Sequence, residues 1–328
     1  MVLLDGTLSS LEPGHETSVG LIYRMLSAAD DASLYYEPGL QWLGWRRAPE
    51  LMAGVGINRQ IKRAYASLAR RYVPGDRIYL VGYSRGAYAV RALAGMIDRV
   101  GLLRADALNP WTLDRAYEHY RGDPTRAEAR SFAARLCHLG TAIEAVAVFD
   151  TVRAVGIRWP VLWRLFPKVH AFRSHRLGRH VKRGFHALAL NETRQAFRPD
   201  LWRTHGARTL TVEQVWFRGA HADVGGQTSG DPRFRPLANV PLRWMLGRLE
   251  ANGLPLPPDW ASRFPADPTG PSVGTWRGFG GWFLARRRRT VGADASERIH
   301  PTALPYAPRG AAVPAWEAAA GAEEEAAV

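Results

Sequence analysis

The chain is nearly free of cysteine and of lysine, and both shortages narrow the reading. A single thiol, Cys137, among 328 residues excludes an intrachain disulfide framework and fits folding in a reducing compartment. No local motif marks it as reactive, so it reads as a small buried apolar residue on a helix. Of 44 basic residues only Lys62, Lys168 and Lys182 are lysine, at a net charge of +14. A basic balance of this size points toward nucleic acid or an anionic membrane. The skew to arginine instead suggests the coding bias of a GC-rich genome, and no recognition motif accompanies the charge. No nucleic-acid partner is therefore expected. No apolar run approaches the roughly 18 residues of a membrane span. The opening Met1-Val2-Leu3-Leu4-Asp5 has neither a basic n-region nor a long apolar h-region, so no secretory signal is expected. It reads as the inside of a strand, which places the expected natural start a few residues upstream. There is no internal repeat.

What is present is an apolar fraction of 46%, spread along the whole chain as in a globular protein. Val2–Leu4 reads as a short strand closed by Asp5-Gly6-Thr7, and Val19–Ala28 as a helix. Ile57, Ile61, Ala64, Tyr65, Leu68 and Tyr72 share one face of a helix over 57–72. After the turn Pro74-Gly75-Asp76 come a strand over Arg77–Val81 and a helix over 85–100, stopped by Gly101. Glu144–Phe149 and Val212–Phe217 read as buried strands, and His186–Arg194 and Pro241–Gly253 as helices. Strands alternating with helices predict an α/β fold with a mostly parallel sheet. The expected organisation is a domain over 1–253 with an insertion at about 153–183. A Pro/Gly/Trp-rich extension over 254–315 packs on it, and 316–328 forms a disordered tail.

The chemistry gathers at Gly82-Tyr83-Ser84-Arg85-Gly86. A bare G-x-S-x-G is common by chance, but here it lies between a strand and a helix, where a nucleophile elbow must lie. The turn is so tight that the residues two before and two after the serine, Gly82 and Gly86, must be tiny. The helix that follows aims its N–H groups and positive dipole end at the site, favouring a developing oxyanion. Arg85 N–H is the first expected donor, and the backbone of Gly6 and Thr7 the second.

A serine hydroxyl needs a base, and the base an orienting acid. Asp150 directly follows a strand, and His221 lies four residues after another, flanked by small residues. Both fall where open α/β sheets place their ligands. Asp223 is the rival acid, but at two residues from His221 it reads as a loop-shaping residue. No second acidic motif supports a metal role for Asp5, and neither a metal nor a cofactor is expected.

These residues resemble a known family, the α/β hydrolases that include the first class of type VI secretion lipase effectors. The resemblance spans about 2–250. It rests on Leu4-Asp5-Gly6-Thr7, on Val81–Ile97 around Ser84, on Val148-Phe149-Asp150-Thr151-Val152, and on His186–Arg194 with Phe197-Arg198-Pro199. The last block is Val212–Phe217 leading into His221-Ala222-Asp223-Val224-Gly225-Gly226, with a weaker echo at Ile299-His300-Pro301. It implies Ser84 as nucleophile, Asp150 as acid and His221 as base, acting on an ester, with phospholipid the best-known substrate. It also implies synthesis in the cytoplasm and export by a route that needs no signal peptide. The chain departs from the family at Leu8-Ser9, where Trp-Asn is usual, and at Thr17-Ser18-Val19, where Thr-Asn-Val is typical.

Two segments suit a lipid–water interface. Trp159, Trp163 and Phe166 form an expected lid after the acid. Trp276–Ala285, followed by Arg286 to Arg289, is the second, suited to peripheral contact with an anionic membrane. The competing reading of both is ordinary packing with solvated arginines. Three functions are weighed: a lipid esterase, with a soluble short-chain esterase as its variant; a catalytically silent hydrolase-like binding protein; and an anionic-surface binder. The intact serine, acid and histidine in order favour the first.

Overall fold

A computed structural model describes residues 1–29, 32–39, 55–122, 126–138, 140–152, 175–204, 211–308, 310–311 and 313–317. Seven strands form one sheet: β1 (Val2–Leu4), β2 (Tyr35–Glu37), β3 (Ile78–Tyr83), β4 (Ile143–Phe149), β5 (Val181–Ala189), β6 (Val212–Phe217) and β7 (Glu297–Ile299). Their order is β2-β1-β3-β4-β5-β6-β7, and every pairing is parallel. Parallel strands buried on both faces need apolar residues at nearly every position, and β3 (IYLVGY) and β4 (IEAVAVF) supply them.

Side chains alternate between the two faces. Ile78, Leu80, Val146 and Val148 point into one core. There α2 (Val55–Arg71), α3 (Arg85–Val100), α4 (Pro110–Arg121) and α5 (Arg126–Leu136) lie. Tyr79, Val81, Ala145, Ala147 and Phe149 point into the other, under α1 (Ser18–Ser27) and α7 (Arg235–Glu250). The short α6 (His221–Gly225) and α8 (Trp260–Arg263) complete the helices used below. Cys137 is a buried free thiol just beyond α5. No helix among the described residues is long and apolar enough to cross a membrane.

Several elements differ from expectation. The stretch read as a helix over His186–Arg194 starts as the second half of β5, a central strand, over His186–Ala189, and continues as a turn and loop. Alanine and leucine favour helix in isolation, but a strand buried on both faces tolerates the same run, and tertiary context decides. The helix read from Pro241 begins at Arg235 instead. Pro236, in its first turn, is the proline that opens it, and Pro241 sits inside. The helix α4, not expected from the apolar pattern, starts at an Asn109/Thr112 capping box with Pro110 in its first turn, a local start signal in the sequence. The extension over 254–315 does more than pack on the domain, because it contributes β7 to the sheet. Trp316, at the start of the expected tail, stacks on His300 and donates to Glu213. Residues 318–328, and Trp159, Trp163 and Phe166 of the expected lid, lie outside the described residues.

Candidate active site

The chain runs from β1 to one side and returns on the other, so β1 and β3 mark the point where strand order reverses. Open α/β sheets place their crevice at such a point. Two loops meet there. One is Asp5-Gly6-Thr7 after β1, and the other is the sharp turn at Ser84 after β3. Ser84 takes φ 56° and ψ −117°, a strained conformation for a residue with a Cβ. The turn is closed by contact. A Cβ on Gly86 would lie 2.1 Å from the Leu4 carbonyl oxygen, and one on Gly82 would lie 2.7 Å from the Gly86 backbone. Both positions therefore require glycine.

Ser84 Oγ lies 2.9 Å from His221 Nε2, and His221 Nδ1 lies 2.5 Å from Asp150 Oδ2. The three come from β3, β6 and β4, so the loop carrying His221 reaches back past β5. The end of β5 holds that loop in place. Asn191 Oδ1 accepts from Gly219 N at 2.8 Å, and Glu192 Oε2 accepts from His221 N at 3.2 Å. Phe197 and Tyr83 pack on the imidazole, with ring centroids 4.8 and 4.9 Å away. All three polar residues are buried, and Asp150 has no exposed surface.

Asp150 is the most constrained of them. Its φ is 41°, and its Oδ1 also accepts from Ala189 N at 3.0 Å. Arg289 forks onto the carboxylate, Nη1 to Oδ1 at 2.5 Å and Nη2 to Oδ2 at 2.8 Å. The same guanidinium donates to the Ala189 and Phe197 carbonyls. Burial alone would raise the Asp150 carboxyl, but Arg289 and His221 hold it far below the usual carboxylate range. Arg289 and Arg286, expected in a surface cluster, both point inward. Arg286 donates to Thr193, Thr275 and Gly280 and stacks on Trp276. Nothing local in the run Arg286–Arg289 distinguishes Arg289, whose partner lies 139 positions away.

Asp223 does not touch the imidazole of His221. Its carboxylate accepts from Ala220 N, from Ser272 Oγ and from Val273 N, which ties the histidine loop to the C-terminal segment. Asp5 accepts from Gly6 N at 2.6 Å, Thr17 Oγ1 at 2.7 Å and the Tyr36 hydroxyl at 2.8 Å. Burial raises its carboxyl to about 6 against these bonds. The Gly6 amide is thus already engaged, which removes it from the expected oxyanion donors. Thr7 N–H and Arg85 N–H remain. The latter lies in the first turn of α3, where N–H groups lack an intrahelical acceptor. Among the described residues no cluster of three histidine, cysteine or carboxylate side chains could hold a metal.

A parallel sheet with a serine, a histidine and an aspartate hydrogen-bonded in series beyond its strand ends has the architecture of an α/β hydrolase, and that is the fold of this chain. The family model for the T6SS phospholipase effector Tle1-like catalytic domain matches residues 1–248, and the chain belongs to that family. Uncharacterized protein YEL023C of Saccharomyces cerevisiae is 29% identical over 231 residues, 60% of this chain and 32% of that protein. An uncharacterized protein from Pseudomonas aeruginosa of solved structure is 17% identical with a TM-score of 0.45, covering 81% of this chain and 48% of that one. The Tle1 effector, solved bound to the VgrG spike of the type 6 secretion system, is 17% identical with a TM-score of 0.37, covering 72% and 52%. This chain therefore spans about a third of the curated relative and about half of each solved chain.

Proposed function

We propose that this chain is a serine hydrolase of lipid esters, with Ser84 as nucleophile, His221 as general base and Asp150 as the orienting acid. The observation that carries the reading is the unbroken series from Ser84 Oγ to His221 Nε2, 2.9 Å, and from His221 Nδ1 to Asp150, 2.5 Å. Ser84 sits on a nucleophile elbow, where strain and two glycines leave its hydroxyl at the helix N-terminus. His221 takes the hydroxyl proton as Ser84 attacks the ester carbonyl. Asp150 holds the imidazole with Nε2 as acceptor and stabilises the imidazolium. The carbonyl oxygen becomes an oxyanion facing Arg85 N–H and Thr7 N–H. His221 then returns the proton to the leaving alcohol, and water resolves the acyl enzyme by the same steps.

Family membership favours a phospholipid, and a surface beside the site favours an interface. Trp276, Trp282 and Leu284 are 65%, 67% and 76% exposed, and Arg277, Arg287 and Arg288 are exposed among them. Apolar insertion with arginines on anionic headgroups suits such a patch, each arginine contributing about 1 kcal/mol. Export without a signal peptide, by a type VI secretion apparatus, belongs to the same proposal.

The test is a fluorophosphonate probe together with an ester panel running from short p-nitrophenyl esters to phospholipid vesicles. Wild type is labelled and Ser84→Ala is not. Hydrolysis on vesicles of fixed acyl composition rises with anionic lipid and falls with salt. Equal labelling of both proteins ends the serine-hydrolase reading in favour of a silent binding protein. A rate that ignores lipid charge, with short esters the better substrates, leaves a soluble esterase.

A further inference from the structure

The site holds four guanidinium groups that matter here, and they differ in what balances their charge. Arg289 forks onto Asp150. Arg194 pairs with Glu192 at 2.7 Å. Arg286 pairs with no carboxylate among the described residues and donates its hydrogen bonds to two hydroxyls and two carbonyls. Arg85 is different. Its Nε and Nη2 both donate to one neutral atom, Thr7 Oγ1, and no carboxylate pairs with it among the described residues. Burial pushes its ionisation down to about 10, with no charged neighbour pulling it back. Arg85 is partly buried; a charge drawn out of water with no counter-ion is costly, and proteins retain one where something else supplies the partner.

The position of Arg85 suggests what that partner is. It directly follows Ser84, and Thr7 ties its side chain to the loop whose N–H is left to face the oxyanion. Thr7 is itself held from the other side, since Gln227 Nε2 donates to its carbonyl at 3.1 Å and the Tyr83 hydroxyl contacts Gln227. The guanidinium is thus held by the Thr7 loop on the residue next to the nucleophile; Thr7 Oγ1 takes its Nε–Nη2 edge, and the Nη1–Nη2 edge that is left matches two oxygens of a phosphate. We propose that Arg85 receives an anionic group carried by the ester substrate itself, a phosphodiester a few bonds from the scissile carbonyl. This rests on the hydrolase reading above and adds the determinant that separates charged lipid esters from neutral ones.

The test uses the full chain and two soluble glycerol diesters of one short acyl chain. One carries an anionic phosphodiester at the third glycerol oxygen, and the other a neutral ether. Wild type prefers the charged ester in kcat/KM. In Arg85→Gln the rate on the neutral ester falls somewhat as Thr7 loses its anchor, and the rate on the charged ester falls a further ten- to hundredfold. Arg85→Lys keeps a point charge without the fork, so its preference lies between those two. It also serves if the glutamine variant does not fold. An equal fall on both esters means that Arg85 only anchors the loop, and overturns the proposal. So does inhibition by inorganic phosphate that Arg85→Gln abolishes while wild type shows no preference between the esters, which marks a free-anion site. A wild type that cleaves neither ester overturns the hydrolase reading and this proposal together. One that cleaves both, with a ratio unchanged in either variant, overturns this proposal alone.

Discussion

Residues 1–248, the stretch that the family model matches, carry Ser84, Asp150 and His221. Residues 254–317 carry none of them, yet they brace two of the three. Arg289 grips Asp150, and Ser272 and Val273 hold Asp223 at the base of the histidine loop. β7 closes the sheet edge beside β6, the strand that leads to His221. The first region thus provides the Ser84, His221 and Asp150 side chains beyond its strand ends, and the second provides part of what keeps them in place. Precise sites generally depend on such supporting contacts. The texture of the second region, rich in proline, glycine and tryptophan, suggests an accessory, whereas its contacts make it part of the site.

The largest expected effect lies wholly in the first region. Ser84→Ala and His221→Ala each lower ester hydrolysis by about 10⁴-fold or more, and Asp150→Asn by about 10⁴-fold. Steady-state rates, with circular dichroism to confirm folding, check this. Asp223→Asn keeps far more activity than Asp150→Asn, because Asp223 contacts loop amides and Ser272 rather than the imidazole. The reverse ranking would move the orienting acid to Asp223.

The next effect tests the contribution of the second region. Arg289→Met leaves the buried Asp150 carboxylate without its main counter-charge. Breaking a buried pair this way costs about 3–5 kcal/mol, read as a lower denaturation midpoint. The Asp150 carboxyl, which Arg289 helps hold far below the usual carboxylate range, also rises when that charge is removed, so the orienting carboxylate is protonated earlier and the acid limb of the kcat/KM profile moves to higher pH. Loss of stability with an unmoved acid limb would make Arg289 a structural brace only.

The smallest effect concerns His186 on β5, which accepts from Thr151 N at 3.1 Å and contacts Gln214. Burial, and then the Arg91 charge, lower its ionisation from 6.5 to about 3. Between these values the unfolded chain binds a proton that the folded chain does not. The contribution of His186 to stability is therefore complete above about 6.5 and is lost as pH falls toward about 3, by up to about 1.4 kcal/mol per unit. His186→Gln flattens that part of the stability curve in denaturant titrations. An unchanged slope would mean that the ring is already charged in the folded state.

The parts of this protein legible in the chain alone are those whose signals are local. A strand, a turn with glycines on both sides of a serine, and a helix are read from consecutive residues, as are an aspartate at one strand end and a histidine just past another. Ser84, Asp150 and His221 were legible for that reason. Tertiary structure decided what depends on neighbours remote in the chain. His186–Ala189 is a strand because β4 and β6 flank it, not because of any propensity of alanine or leucine. Gly6 is spent on Asp5, which Thr17 and Tyr36 also hold, and Arg289 turns inward because Asp150 lies buried across the site. A guanidinium in a run of four arginines has the same sequence context whether it faces solvent or a carboxylate. Only the fold brings the carboxylate within 2.5 Å, and at that distance, away from water, the pair outweighs the hydration that would otherwise draw the arginine to the surface.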